Sequence, residues 1–165
     1  MFEFDNVTDL SLARAIAGMY NRKNSIMKIK YIRDIKPIEK EENSDWIDLR
    51  AGVDMWLDAG EYAVVPLGIA VELPKGYEAI IAPRSSTFAK WGIICTNSIG
   101  IIDNAYRGDQ DEWRFPVMAF RKTVIHKNDR ICQFRLLKNQ DDIALEEVKE
   151  LGNENRGGFG TTGVN

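Results

Sequence analysis

Cysteine and histidine are scarce in this chain: Cys95, Cys132 and His126 are all there is in 165 residues. A protein-built zinc centre needs several such ligands at short spacings, and neither cysteine has a Cys or His neighbour at zinc spacing. No zinc centre built by the protein is therefore expected. Without a CxxC pair or a secreted context, the cysteines are expected to be buried free thiols in a reducing cytosol. No apolar run approaches the roughly 18 residues of a membrane span. The first ten residues carry Glu3, Asp5 and Asp9 and lack the apolar core of a secretory leader. A basic excess is missing too: 22 Lys and Arg against 25 Asp and Glu leave a net charge of −3. That gives no electrostatic case for nucleic-acid or membrane-surface binding. No GxxxxGK(S/T) occurs. Gly158-x-Gly160-x-x-Gly163 matches a dinucleotide-binding pattern in letters, but two residues are too few for the helix that pattern opens.

With 44% hydrophobic and 28% charged residues, the chain has the balance of one ordinary globular domain. Leu12, Ala13, Ile16, Met19 and Tyr20 recur at helical spacing and predict a short helix over 8–22, with Asp9 at its start. From there on the sequence predicts strands and turns, with strands at 26–32, 62–73, 77–82, 93–95, 115–120 and 130–137. Asp58-Ala59-Gly60 and Pro74-Lys75-Gly76 punctuate them. Many short strands predict an all-β barrel or sandwich. The expected division is a helical extension over 1–26, a β domain over 27–150 and a C-terminal arm over 151–165. Leu12, Ile16 and Tyr20 would give the extension an apolar face for a protein partner.

The arm is the most informative stretch. Arg156 to Gly163 holds four glycines, two threonines, one cation and Phe159. Glycines let backbone N–H groups turn inward around an anion. Threonine hydroxyls and an arginine fork suit phosphate oxygens. Phe159 could cover a flat ring. A disordered tail is the competing reading; an arm closing over a nucleoside triphosphate is the one the remaining segments favour.

Those segments are 48–51, opening on Asp48; 83–93, with Arg84, Ser85 and Ser86; 97–109, with Asn97, Asp103 and Tyr106; and 129–134, with Gln133. Taken alone, Asp103 reads as a hairpin aspartate bonding its own backbone, and the serines read as a turn. In order and spacing, the five segments resemble the motifs of the trimeric dUTPases, over residues 27–165.

The resemblance implies a jelly-roll-like β-barrel and a homotrimer whose sites are shared, the arm of one subunit closing over another. It implies hydrolysis of dUTP to dUMP and pyrophosphate by in-line attack of water on the α-phosphate. Mg2+ would be held mainly through the substrate phosphates. Asp103 would be the general base, Gln133 would reach a phosphate or the attacking water, and Asp48 would orient the site or a metal-bound water. Arg84, Ser85 and Ser86 would bind the α- and β-phosphates, although glycine is commoner at the position of Ser86. Asn97, with the hairpin backbone at Gly100 and Ile102, would read uracil. Tyr106 would pack on the deoxyribose and exclude a 2′-hydroxyl. Arg156 would meet the γ-phosphate, Gly160, Thr161 and Thr162 the phosphate oxygens, and Phe159 the uracil ring. Asp54, in a second similar segment, lies six positions before Gly60 where the family keeps a longer gap; Asp48 lies twelve before it. Residues 109–116 depart from the commoner pattern and resemble a variant of Bacillus-type and phage members. Trp113 or Phe115 could share the lid role there, or pack in the core. The related dCTP deaminases share the fold but call for glutamate in place of Asp103. A phage-type regulator, switching a protein partner through the helical extension, is the third reading.

Overall fold

The structure, a computed structural model, describes residues 26–157. The helix expected over 8–22 and the arm residues Phe159, Gly160, Thr161 and Thr162 lie outside them. The described chain runs β1 (Lys28–Tyr31), β2 (Ile47–Arg50), β3 (Met55–Leu57), β4 (Tyr62–Pro66), β5 (Ile69–Glu72), β6 (Tyr77–Pro83), α1 (Thr87–Trp91), β7 (Ile93–Cys95), β8 (Gly100–Ile102), β9 (Arg114–Ala119), β10 (Thr123–Ile125) and β11 (Arg130–Lys138). Its antiparallel sheets are ordered β2-β11-β6-β8, β4-β9-β7, β1-β5 and β3-β10. They wrap one core in an all-β, jelly-roll-like arrangement, as expected.

Alternation builds that core. Phe115, Val117 and Ala119 of β9 point inward and are fully buried, while Pro116 and Met118 between them are not. Trp113 meets Phe134 of β11 edge to face at 5.2 Å, an arrangement worth about 0.5–1.5 kcal/mol beyond the area buried. Trp113 and Phe115 are both inaccessible to solvent. Neither can serve as a lid over a ligand, which corrects that expectation: they are core. Cys95 and Cys132 are buried free thiols, and burial pushes both upward in pKa.

Two expectations about local structure need correction. The long strand over 62–73 breaks at Leu67-Gly68, where β4 leaves β9 and β5 takes up β1. Gly68 makes this possible with φ of 74°, and a Cβ there would lie only 3.1 Å from the Ile35 side chain. Residues 87–91 form a helical turn where only strands and turns were expected. Five residues carry no readable helical period. The turn is held instead by Thr87, whose buried Oγ1 accepts from Arg84 N–H at 2.9 Å and donates to Ile131 O at 2.8 Å. Gly92 ends it in the left-handed conformation.

One buried ion pair had no signal in the sequence. Arg33 Nε and Nη2 donate to the two oxygens of Glu112 at 2.5 and 3.0 Å, and Gly68 N–H adds a third bond at 3.1 Å. The Arg33 hydrogen bond holds the Glu112 carboxyl below the usual glutamate range, against the opposing effect of burial. With the folded value depressed, the pair's stabilisation is complete above the ordinary pKa of about 4.3. It is lost as pH falls through the folded value. Glu112→Gln is expected to cost about 1–3 kcal/mol at neutral pH, less than a fully buried pair because the Arg33 side chain is 37% exposed. Urea midpoints should show that gap near pH 7 and a smaller one at a pH below the ordinary glutamate value. An equal gap at both would show that the charge is not responsible.

Candidate active site

On β2, Leu49 points into the core, so Asp48 and Arg50 on either side share the outer face. Gln133 of β11 lies opposite Asp48 in register, and Arg130 lies opposite Arg50. Residues three apart on a regular strand face opposite ways. A bulge between Arg130 and Cys132 changes that parity: Ile131 and Cys132 are both buried, and Arg130 and Gln133 open onto the same cavity. Arg84 enters from the end of β6, beside Pro83. The cavity is about 260 Å³ and is lined by Asp48, Arg50, Arg84, Arg130, Gln133 and Trp46, with Glu39 and Glu41 at its edge.

Asp48 is tied to two guanidinium groups, Arg84 Nε at 2.7 Å and Arg130 Nη1 at 3.0 Å. Its carboxylate thereby holds two guanidinium forks, a geometry suited to oxyanions, at fixed separation. Gln133 Nε2 donates to Pro83 O at 3.2 Å, which ties β11 to the Arg84 turn. Arg130 also meets Glu41 at 3.2 Å, but that carboxylate is 72% exposed. Such an exposed pair is worth at most about 1 kcal/mol. Asp54 lies elsewhere, accepting Lys127 N–H at 2.8 Å and facing His126 at 3.5 Å. Arg130, Arg50 and Trp46 are cavity residues that sequence reasoning did not single out. For Arg130 the missing signal was the bulge; Arg50 follows from plain alternation with Asp48 along β2.

The remaining expected residues do not line this cavity. Asn97 lies exposed in the turn after β7, Gly100 and Ile102 bound β8, and Asp103 and Tyr106 follow it. Asp103 Oδ1 accepts Ala105 N–H at 2.7 Å and Tyr106 N–H at 3.3 Å, the local turn that its sequence context allows. Tyr106 Oη donates to Glu112 O at 3.1 Å, and its ring stays 40% exposed. Ser85 is exposed, and Ser86 starts α1 without capping it. Arg156 is exposed in a segment that makes no strand.

Asp103 and Arg84 do not meet within one chain. Ile102 is level with Ala79 on β6, and Arg84 lies five residues beyond Ala79. At about 3.3 Å per residue this is ~16 Å, and Asp103 continues away from Arg84.

The dUTPase family profile matches residues 35–163. The chain belongs to the dUTPase family. It is 53% identical over 139 residues to the SPbeta prophage-derived deoxyuridine 5′-triphosphate nucleotidohydrolase YosS of Bacillus subtilis, covering 84% of this chain and 98% of that one. A deoxyuridine 5′-triphosphate nucleotidohydrolase of Neorickettsia sennetsu is 38% identical, with 84% and 95% covered. Among solved structures, the Staphylococcus bacteriophage 80alpha dUTPase with dUpNHpp matches with a TM-score of 0.70 at 18% identity, covering 84% and 99%. A mutant dUTPase of phage phi11 of S. aureus, described with a structural Mg(II) ion, matches at 0.67 and 16% identity, covering 76% and 98%. Both support the dUTPase fold. The dUTP hydrolysis expected from the motifs is supported by the family and its curated relatives. Among the described residues, no helix is long and apolar enough to cross a membrane.

Proposed function

We propose that this dUTPase-family chain hydrolyses dUTP to dUMP and pyrophosphate in sites assembled from several copies of itself, a homotrimer. The observation that carries this is the separation just described. Arg84 and Asp48 belong to one end of β6 and Asp103 and Tyr106 to the other. A base must stand within about 3 Å of the water it activates, next to the phosphate that the arginines hold. One chain cannot span that gap, whereas a rotated copy can bring its β8 hairpin to its neighbour's cavity. The exposed segment after β11 supports the same reading. Ile143, Leu145 and Leu151 are 65%, 91% and 83% exposed, and such a run of apolar side chains is suited to cover by another chain.

In the assembled site, Arg84 and Arg130 bind phosphate oxygens, Asp48 fixes their forks, and Ser85 and Ser86 add hydroxyl donors. Gln133 orients a phosphate or the attacking water. Tyr106 packs on the deoxyribose, while Asn97 and the backbone at Gly100 and Ile102 read uracil by fixed donors and acceptors. Asp103 takes a proton from water as the water oxygen attacks the α-phosphorus, and pyrophosphate leaves opposite. Arg156 and the arm residues Phe159, Gly160, Thr161 and Thr162 close over the nucleotide and exclude bulk water. The cavity's donor set fits a magnesium ion carried by substrate: Asp48 is already engaged by two cations, and no cluster of three or more metal-ligating side chains occurs among the described residues. Mg2+ bound through the phosphates would neutralise the leaving pyrophosphate, with Asp48 reached through water. Free buried thiols fit a cytosolic setting.

Co-expression tests the shared site. Arg84→Ala and Asp103→Asn chains are each expected to be nearly inactive alone. Random mixing should restore both residues in about a quarter of the sites, because each site draws them from different chains. Recovery of about a quarter of wild-type activity supports the reading, and no recovery in a mixed trimer overturns it.

A further inference from the structure

We infer that Arg33 and Glu112 are a positioning pair that sets discrimination between deoxyribose and ribose, by fixing the carbonyl on which the Tyr106 hydroxyl is anchored. This rests on the reading of Tyr106 as the sugar contact. Tyr106 lies on a loop without regular structure, and its ring is partly open to solvent. Its hydroxyl bond to Glu112 O, at 3.1 Å, is what ties the far end of the ring to the body. A ring that excludes one hydroxyl group must be placed to within a fraction of an ångström. The stiffness of residue 112 therefore decides how well it excludes.

Residue 112 is held from every side. Its carboxylate turns inward, is 6% exposed, and takes the Arg33 fork and the Gly68 N–H. The next residue, Trp113, donates to Ile69 O at 2.8 Å and accepts from Leu67 at 2.9 Å. On the other side, Asp111 N–H and Gly108 O close a turn at 3.0 Å, and Asp111 Oδ2 accepts Gly108 N–H at 2.5 Å. Arg33 has a built path to reach Glu112. A Cβ on Gly52 would come within 2.7 Å of Arg33 Cδ, so the glycine leaves the room that the side chain occupies. Arg33 N–H is itself bonded to Gly68 O at 3.2 Å. A buried ion pair is a poor way to add stability, since apolar residues of like volume often do as well. A bidentate fork is a good way to fix a geometry.

The test is the ratio of kcat/KM for dUTP to that for UTP, measured on full-length protein at a temperature where every variant is folded. Glu112→Gln and Tyr106→Phe are each expected to lower the ratio by about 3- to 10-fold, the range for losing one hydrogen-bonded constraint. The double variant should lose little more than either alone, because both act through one carbonyl. Arg33→Lys should retain more discrimination than Arg33→Met. A lower melting temperature for Glu112→Gln with an unchanged ratio would make the pair purely structural and overturn the proposal. Additive losses in the double variant would overturn it as well. Tyr106→Ala separates the two layers. If it leaves the ratio intact, Tyr106 is not the sugar contact and the underlying reading fails. If it collapses the ratio while Glu112→Gln does not, only the role of the pair fails.

Discussion

Replacing Asp103 by asparagine is expected to lower kcat for dUTP by about 10²–10⁴-fold, with nucleotide binding nearly unchanged. The structure makes this substitution a clean one. Asp103 is exposed, and one of its oxygens accepts two backbone N–H groups at 2.7 and 3.3 Å. An asparagine can keep that turn with its amide oxygen, so the hairpin that carries Tyr106 should hold its shape. What it loses is the second oxygen, the one able to take a proton from water. The measurement is kcat under saturating dUTP with Mg2+, beside the affinity for a non-hydrolysable analogue. A kcat close to wild type would remove Asp103 as the base and leave it a turn residue. A loss of affinity as large as the loss of rate would point to a disturbed hairpin.

Truncation after residue 153 is expected to have the next largest effect. It should cost about 100-fold or more in kcat/KM and leave the melting temperature almost unchanged. Residues 154–157, the described part of the deleted segment, are exposed and add little packing to the β domain. The expected loss comes from chemistry. Without Arg156 and the glycine and threonine donors, the triphosphate is held less precisely and bulk water reaches the α-phosphorus. Calorimetry and steady-state kinetics on the same preparation separate the two. Full activity would show that the arm is dispensable, and a collapse in melting temperature would make it part of the folded body.

The sequence by itself determined the fold class, the motif order and three of the cavity's side chains, Asp48, Arg84 and Gln133. The strand over 115–120 is legible, and its buried positions alternate because a strand facing a core repeats every second residue. Spacing favours Asp48 over Asp54 in the sequence, and in the structure Asp48 pairs with Arg84 and Arg130 while Asp54 lies elsewhere. Residues that act through a local motif, such as the Arg84 turn, could be located because neighbours in sequence stay neighbours in space.

Tertiary structure decided what depends on distant partners or on a change of parity. The bulge at Ile131 turned Arg130 onto the face of Gln133, and no pattern of residue types announces one extra residue in a strand. Trp113 and Phe115 were equally compatible with a lid and a core, since an aromatic ring suits both; packing against Phe134 and full burial placed them inside. Arg33 and Glu112 lie 79 residues apart, and a single charge in a sequence carries no mark of its partner. The distance along β6 between Arg84 and Asp103 was invisible for the same reason. Only the register of β8 on β6 shows how far Asp103 stands from Arg84 within one chain, the separation on which the proposal of a site shared between chains rests.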